Sequence, residues 1–333
     1  MSESNSSYPF ASARVKAIET RLITKEKLNR LIEAKDYDAA MRQLAEFGYG
    51  QSAGSGAGCS FEELIQKELM ETDVLLEELS PSDVFTRIMH AERDYFNLKV
   101  LIKLHMQEKP LDSFPLLPGN VPVETLRRAV SENNYQDLSD AMTEALQYID
   151  RQFTAAADAS IVGVALDRAY AKEIAALLPQ MNNPLVSAYF TAFFDISNII
   201  ALMRVRAAGL PKESFERVIT HGGSIDKRTL CEAFDLPDES VLAAVAKGDY
   251  YDVLASAFED YAKTGSLYML EKARDDYLLS LLREQRHDMF GIGPLMGYYI
   301  ARQREAAAVR LVMTAKLGGV DMDVAARRLK ELY

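Results

Sequence analysis

A helix that is apolar almost all round, yet carries an acid and an amide at its middle, has few ways to fold. This chain contains that pattern twice. Asp94–Lys103 reads DYFNLKVLIK and Asp195–Arg204 reads DISNIIALMR. A shift of 101 positions lays Asp94 on Asp195, Asn97 on Asn198, Lys103 on Arg204 and Pro110 on Pro211. In the second copy Ser187, Thr191, Asp195 and Asn198 follow at steps of four, four and three and so share one stripe of the helix. The first copy places Thr86, His90, Asp94 and Asn97 at the same positions. A carboxylate enclosed in such a helix must be paired or hydrogen-bonded, because an isolated buried charge is strongly unfavourable. The expectation is a structural polar stripe tying each long helix to its neighbours. A stripe facing a shared cavity and touching a partner is the alternative. Removing Asp195 as alanine is expected to cost about 3–5 kcal/mol if a buried cation loses its partner.

A third copy follows at a further shift of 110, which carries Pro184 onto Pro294, Asp195 onto Glu305 and Gly209 onto Gly319. Asn198 lands on Ala308, so this copy keeps the acid and loses the amide. A second element recurs in the same order: LNRLIEAKDY from Leu28, LRRAVSENNY from Leu126 and LAAVAKGDYY from Leu242, each running from leucine to tyrosine (Tyr37, Tyr135, Tyr251). Two element types repeated three times in register predict three related helical domains, at 1–115, 116–222 and 223–333.

The rest of the chain also reads as helix, with apolar residues at three- and four-residue steps and no sustained alternation. Ser60 with Glu63 forms a capping-box pattern, while Ser80-Pro81, Asn183-Pro184 and Gly293-Pro294 read as helix starts. Gly209 and Gly318-Gly319 read as stops. The fold class is all-α.

Charge and motifs narrow the function by exclusion. A net charge of −11 gives no broad electrostatic footprint for nucleic acid. Cys59 and Cys231 stand in no metal or redox spacing, and the polar start MSESNSSYPF lacks the regions of an export signal. Residues 185–205 approach a membrane span, but Asp195 at the centre would cost about 2.5–3.5 kcal/mol on insertion, so no direct membrane insertion is expected. His90, His105, His221 and His287 form no HExxH or i, i+4 pair, so no metal is expected. The glycine-rich stretch at 52–60 lacks the lysine of a phosphate-binding loop and reads as a connection. RDDYLL at 274–279 falls short of a DDxxD magnesium motif because its last position is Leu279. No catalytic residue and no cofactor is expected.

The segments ARVKAIETRLITKEKLNRLIEAKDYDAAMRQLAEFGYG, YFNLKVLIK and GPLMGYYIARQREAAAVRLVMTAKLGGVDMDVAARRLKELY resemble the C subunit of archaeal and bacterial A/V-type ATPases, whose eukaryotic counterpart is the d subunit of vacuolar ATPases. The resemblance spans nearly the whole chain in order. It implies a non-catalytic rotor component with three similar helical domains about a pseudo-threefold axis, funnel-shaped. It also implies two partners, the central-shaft subunits and the membrane proteolipid ring, and a peripheral position on the cytoplasmic side of the membrane. Asparagine is usual in that family where Ala308 stands here. Arg302, Arg304 and Arg310 make the third long helix denser in charge than the others, and they are the candidate partner-binding residues. A soluble helical scaffold outside any ATPase fits the periodicity as well.

Overall fold

The computed structural model describes residues 8–50, 59–80, 82–155, 160–246 and 248–333, without the side chains of 153–155. Among them there is helix and no strand. The helices run α1 (Pro9–Ile18), α2 (Lys25–Glu33), α3 (Tyr37–Glu46), α4 (Phe61–Leu79), α5 (Asp83–Met106), α6 (Val123–Glu132), α7 (Asp140–Ala155), α8 (Ser160–Met181), α9 (Pro184–Ala207), α10 (Lys212–Val218), α11 (Lys227–Ala233), α12 (Asp238–Val245), α13 (Tyr250–Thr264), α14 (Tyr268–Glu284), α15 (Gly293–Leu317) and α16 (Met322–Ala326). The three acid-bearing segments are the three longest: α5, α9 and α15.

By compactness the chain forms two units. A terminal unit joins the described residues up to 81 with 279–333, and a middle unit comprises 82–278. The repeat boundaries after 115 and 222 express sequence similarity, which is a different property from compactness.

In the terminal unit α15 is the axis, packed by α1, α2, α3 and α4. Its buried side runs from Pro294 to Ala315 and includes Gly297, Ala301, Ala306 and Ala308. These small residues let neighbouring groups come close: a Cβ at Gly297 would collide with the Tyr333 ring, which the Arg286 guanidinium covers at 5.3 Å. α4 starts with the expected capping box, both Ser60 and Glu63 reaching across to the other's backbone.

In the middle unit α5 packs on α6 and α8, α7 packs on α8, and α9 meets α8, α10 and α11. Leu202, Phe215, Leu230, Val241, Leu254 and Leu270 anchor one continuous apolar core from α9 to α14. α9 is the single described helix long and apolar enough to cross a membrane by length and composition. Asn183 caps it as expected, accepting from Leu185 and Val186 N–H groups.

Three local expectations shift. Ser80 ends α4, and α5 begins after Ser82; Pro81 lies outside the described residues. Gly293 is already the first residue of α15, with Ile292 at the cap. The stop at the end of α15 is made by Gly319 at φ +64°, a left-handed conformation that favours glycine, while Gly318 stays right-handed. The glycine-rich stretch lies outside the described residues except for its last two positions.

Candidate functional site

The repeated acids of the long helices all face inward: Asp94 and Asp195 are 0% exposed and Glu305 is 2%. Each clasps the backbone of a loop that leads into a short helix. Asp94 accepts from the Val121 N–H at 3.1 Å and the Asn120 N–H at 2.9 Å, just ahead of α6. Asp195 accepts from the Ile225 N–H at 2.9 Å, the Ser224 hydroxyl at 2.7 Å and the Tyr250 hydroxyl at 3.2 Å, ahead of α11. Glu305 accepts from the Ile23 N–H and the Tyr49 hydroxyl, both at 2.6 Å, ahead of α2. Loop N–H groups buried without such partners would cost about 1–3 kcal/mol each, so each acid holds its loop against the long helix.

The amides extend the first two clasps. Asn97 donates to the Leu117 carbonyl at 2.8 Å, and Asn198 donates to the Thr220 carbonyl at 3.0 Å while accepting from its N–H at 2.9 Å. Ala308 offers no equivalent. His90 is buried one turn before Asp94, and Thr191 is half-buried one turn before Asp195. Burial raises the Asp94 carboxyl to about 6; its two backbone hydrogen bonds oppose that shift and the Glu173 charge adds to it. Burial and then the charge of Glu305 push the Tyr49 hydroxyl far above its usual range.

Sequence reading missed the clasped residues, although a signal exists. Ile23, Val121 and Ile225 each stand five positions before a buried leucine, in ITKEKL, VPVETL and IDKRTL. The helix-start residues Thr24, Pro122 and Asp226 lie between. By this criterion the third partner of Leu28 and Leu126 is Leu230 in α11; Leu242 belongs to the next helix, α12.

A cavity of about 490 Å³ opens in the middle unit. Glu92, Phe96 and Lys99 line it from α5, Asp167 and Tyr170 from α8, and Phe193, Ser197, Asn198, Ala201 and Arg204 from α9. Thr220 and Arg274 complete the wall. α9, apolar almost all round in sequence, is therefore open on one face, where Phe193, Ser197 and Ala201 are half-buried against the cavity. Arg274 lies 5.1 Å over the Phe193 ring, donates to Ser197 at 3.1 Å and pairs with Asp275 at 2.9 Å.

The three arginines of α15 differ in placement. Arg302 is 7% exposed; it bonds Glu305 at 2.5 Å and the Tyr298 hydroxyl at 3.2 Å, with Glu68 3.3 Å away. Arg310 forms a two-pronged pair with Glu62 at 2.7 and 2.8 Å. Arg304 is half-buried and reaches the Glu331 carbonyl at 3.5 Å.

Comparison with known proteins places this architecture. The family model described as ATP synthase (C/AC39) subunit matches residues 11–328. The chain is 24% identical to the C subunit of an A-type ATP synthase of Methanocaldococcus jannaschii over 93% of its own length and 83% of the relative's. It is equally 24% identical to the C subunit of a V-type sodium ATPase of Enterococcus hirae, covering 96% of this chain and 97% of that one. The C subunit of an A-type ATP synthase of Thermococcus kodakarensis is 22% identical, over 95% and 88%.

Proposed function

The chain belongs to the ATP synthase (C/AC39) subunit family, and on that premise we propose that it is the non-catalytic rotor adaptor of an A/V-type rotary ATPase. In this role it links the central shaft to the membrane proteolipid ring and corresponds to the d subunit of vacuolar enzymes. Torque from ATP hydrolysis passes through the shaft into the adaptor and on to the ring; synthesis runs the same train in reverse. The adaptor sits on the cytoplasmic side of the membrane and is held there by the complex rather than by insertion.

The observation that carries this reading is the way the long helices are braced. A torque-bearing part must not yield, and each long helix is fixed to a loop by a buried acid rather than by apolar contact alone. Hydrogen bonds to a charged acceptor are directional and stronger than neutral ones, about 1.5–3 kcal/mol each, so they resist sliding as well as separation. The same recurrence supports three related repeats, 1–115, 116–222 and 223–333. The cavity of the middle unit, walled by two of the long helices, is the proposed seat for the shaft. Arg304 and Arg310, both reached by solvent, are proposed as further partner contacts; Arg302 is committed to Glu305 and stays out of that role.

Affinity capture of the tagged chain from detergent-extracted native membranes, followed by mass spectrometry, tests the reading. Shaft and ring subunits of one ATPase should co-purify in fixed ratio. Recovery of the chain alone from the soluble fraction would instead identify a free scaffold.

A further inference from the structure

We propose that Glu92 is the charge that selects the occupant of the middle unit's cavity: a helix end of a partner subunit presenting lysine or arginine beside an apolar side chain. The cations around the cavity each have a carboxylate of their own. Lys99 pairs with Asp167, Arg204 with Glu271 and Arg274 with Asp275. Among the described residues no hydrogen bond or ion pair engages the Glu92 carboxylate. Glu92 is exposed and lines the cavity. Protein crowds round it there; that enclosure pushes its carboxyl up, and the nearby Arg274 charge only partly offsets the shift. One turn further along α5 Phe96 is 51% exposed. An underpaired carboxylate next to an exposed ring favours a ligand that is cationic at one point and apolar at the next. The net charge of −11 draws such a ligand in from a distance. The volume, about 490 Å³, admits a few side chains rather than a whole helix, which points to the tip of one.

The inference rests on the rotor-adaptor reading and is tested apart from it. The full-length chain is titrated with the purified central-shaft subunit of the same ATPase at low and high salt. Glu92→Lys should weaken binding by about tenfold or more, because it sets like charges face to face, and should reduce the salt dependence. Glu92→Gln should do less in the same direction. Phe96→Ala should weaken binding but keep the salt dependence. Glu92→Gln carries the test if Glu92→Lys fails to fold, as judged by melting temperature. A charge reversal at one basic residue of the shaft tip should rescue Glu92→Lys.

If the unaltered chain binds the shaft and both Glu92 variants bind equally well, the role of Glu92 falls and the adaptor reading stands. Weaker binding with unchanged salt dependence also overturns the charge role. If the unaltered chain does not bind the shaft at all, the adaptor reading fails first. A small cation found in the native protein by mass spectrometry, and lost in Glu92→Gln, would replace the partner with a small-molecule ligand.

Discussion

Asp195 on α9 has Ala192 three positions before it; Glu305 on α15 has Arg302 in the same place. Around Asp195 the donors are neutral: an N–H and two hydroxyls. Around Glu305 a buried guanidinium joins the N–H and the tyrosine. The backbone differs to match. A Cβ at Gly119 or Gly223 would run into the Asp94 or Asp195 carboxylate, so these loops reach the short acid only because glycine lets them. The matching position in the third clasp, two before Ile23, is the exposed Arg21, and the acid there is one methylene longer. The same connection is thus made once with a long acid and a cation, and twice with a short acid and a glycine. A buried ion pair is the more dangerous design to damage, because removing one partner leaves a charge behind.

The largest effect should come from Glu305→Ala, which leaves Arg302 with Glu68 as its one remaining carboxylate and takes the acceptor from Ile23 and Tyr49, and should lower stability of the terminal unit by about 3–5 kcal/mol in urea unfolding. Asp195→Ala should cost less, about 1–3 kcal/mol, because only neutral donors lose their acceptor. That corrects the larger loss expected if a cation had faced Asp195. Equal losses for the two changes would break the comparison.

Protonation sharpens it next. Asp94 has its folded carboxyl raised to about 6 from an ordinary 3.8, so the folded protein holds that proton more tightly than the unfolded chain. The contribution is full below about pH 4 and is lost as pH rises through about 6. Acidification from pH 7 to 4 should therefore favour the middle unit by up to about 3 kcal/mol relative to Asp94→Asn. Urea midpoints of the two proteins across that range check it; parallel profiles would show that burial does not govern Asp94.

The glycine effect is no larger than that of losing the acid it makes room for. Gly223→Ala should cost about 1–3 kcal/mol by displacing the Asp195 clasp. Arg21→Ala, its counterpart, should change stability by no more than about 0.5 kcal/mol. Thermal unfolding of the pair suffices, and a tolerated Gly223→Ala would mean that the loop has room to retreat.

Much of this is legible in the residues alone. The long helices, the Asn183 and Ser60 caps and the inward stripe of Asp94, Asn97, Asp195 and Asn198 follow from spacing, because helix formation and amphipathic burial depend on residues three and four apart. Arg302 misleads for the same reason. Its charge suggests an exposed face, and nothing local announces that Glu68 and Glu305 meet it inside.

The sequence by itself determined that a buried acid on each of three long helices had to find donors, since burial makes that demand wherever the chain goes. Which donors answered was decided only by the tertiary structure. Val121 and Ile225 come from the loops 27 and 30 residues on, but Ile23 comes from 282 residues back along the chain. No periodicity encodes that partnership. The same holds for the open face of α9, where apolar and small residues line a cavity although the helix alone reads as apolar almost all round. A side chain's own helix dictates its direction; what it meets there depends on which other elements pack against that side.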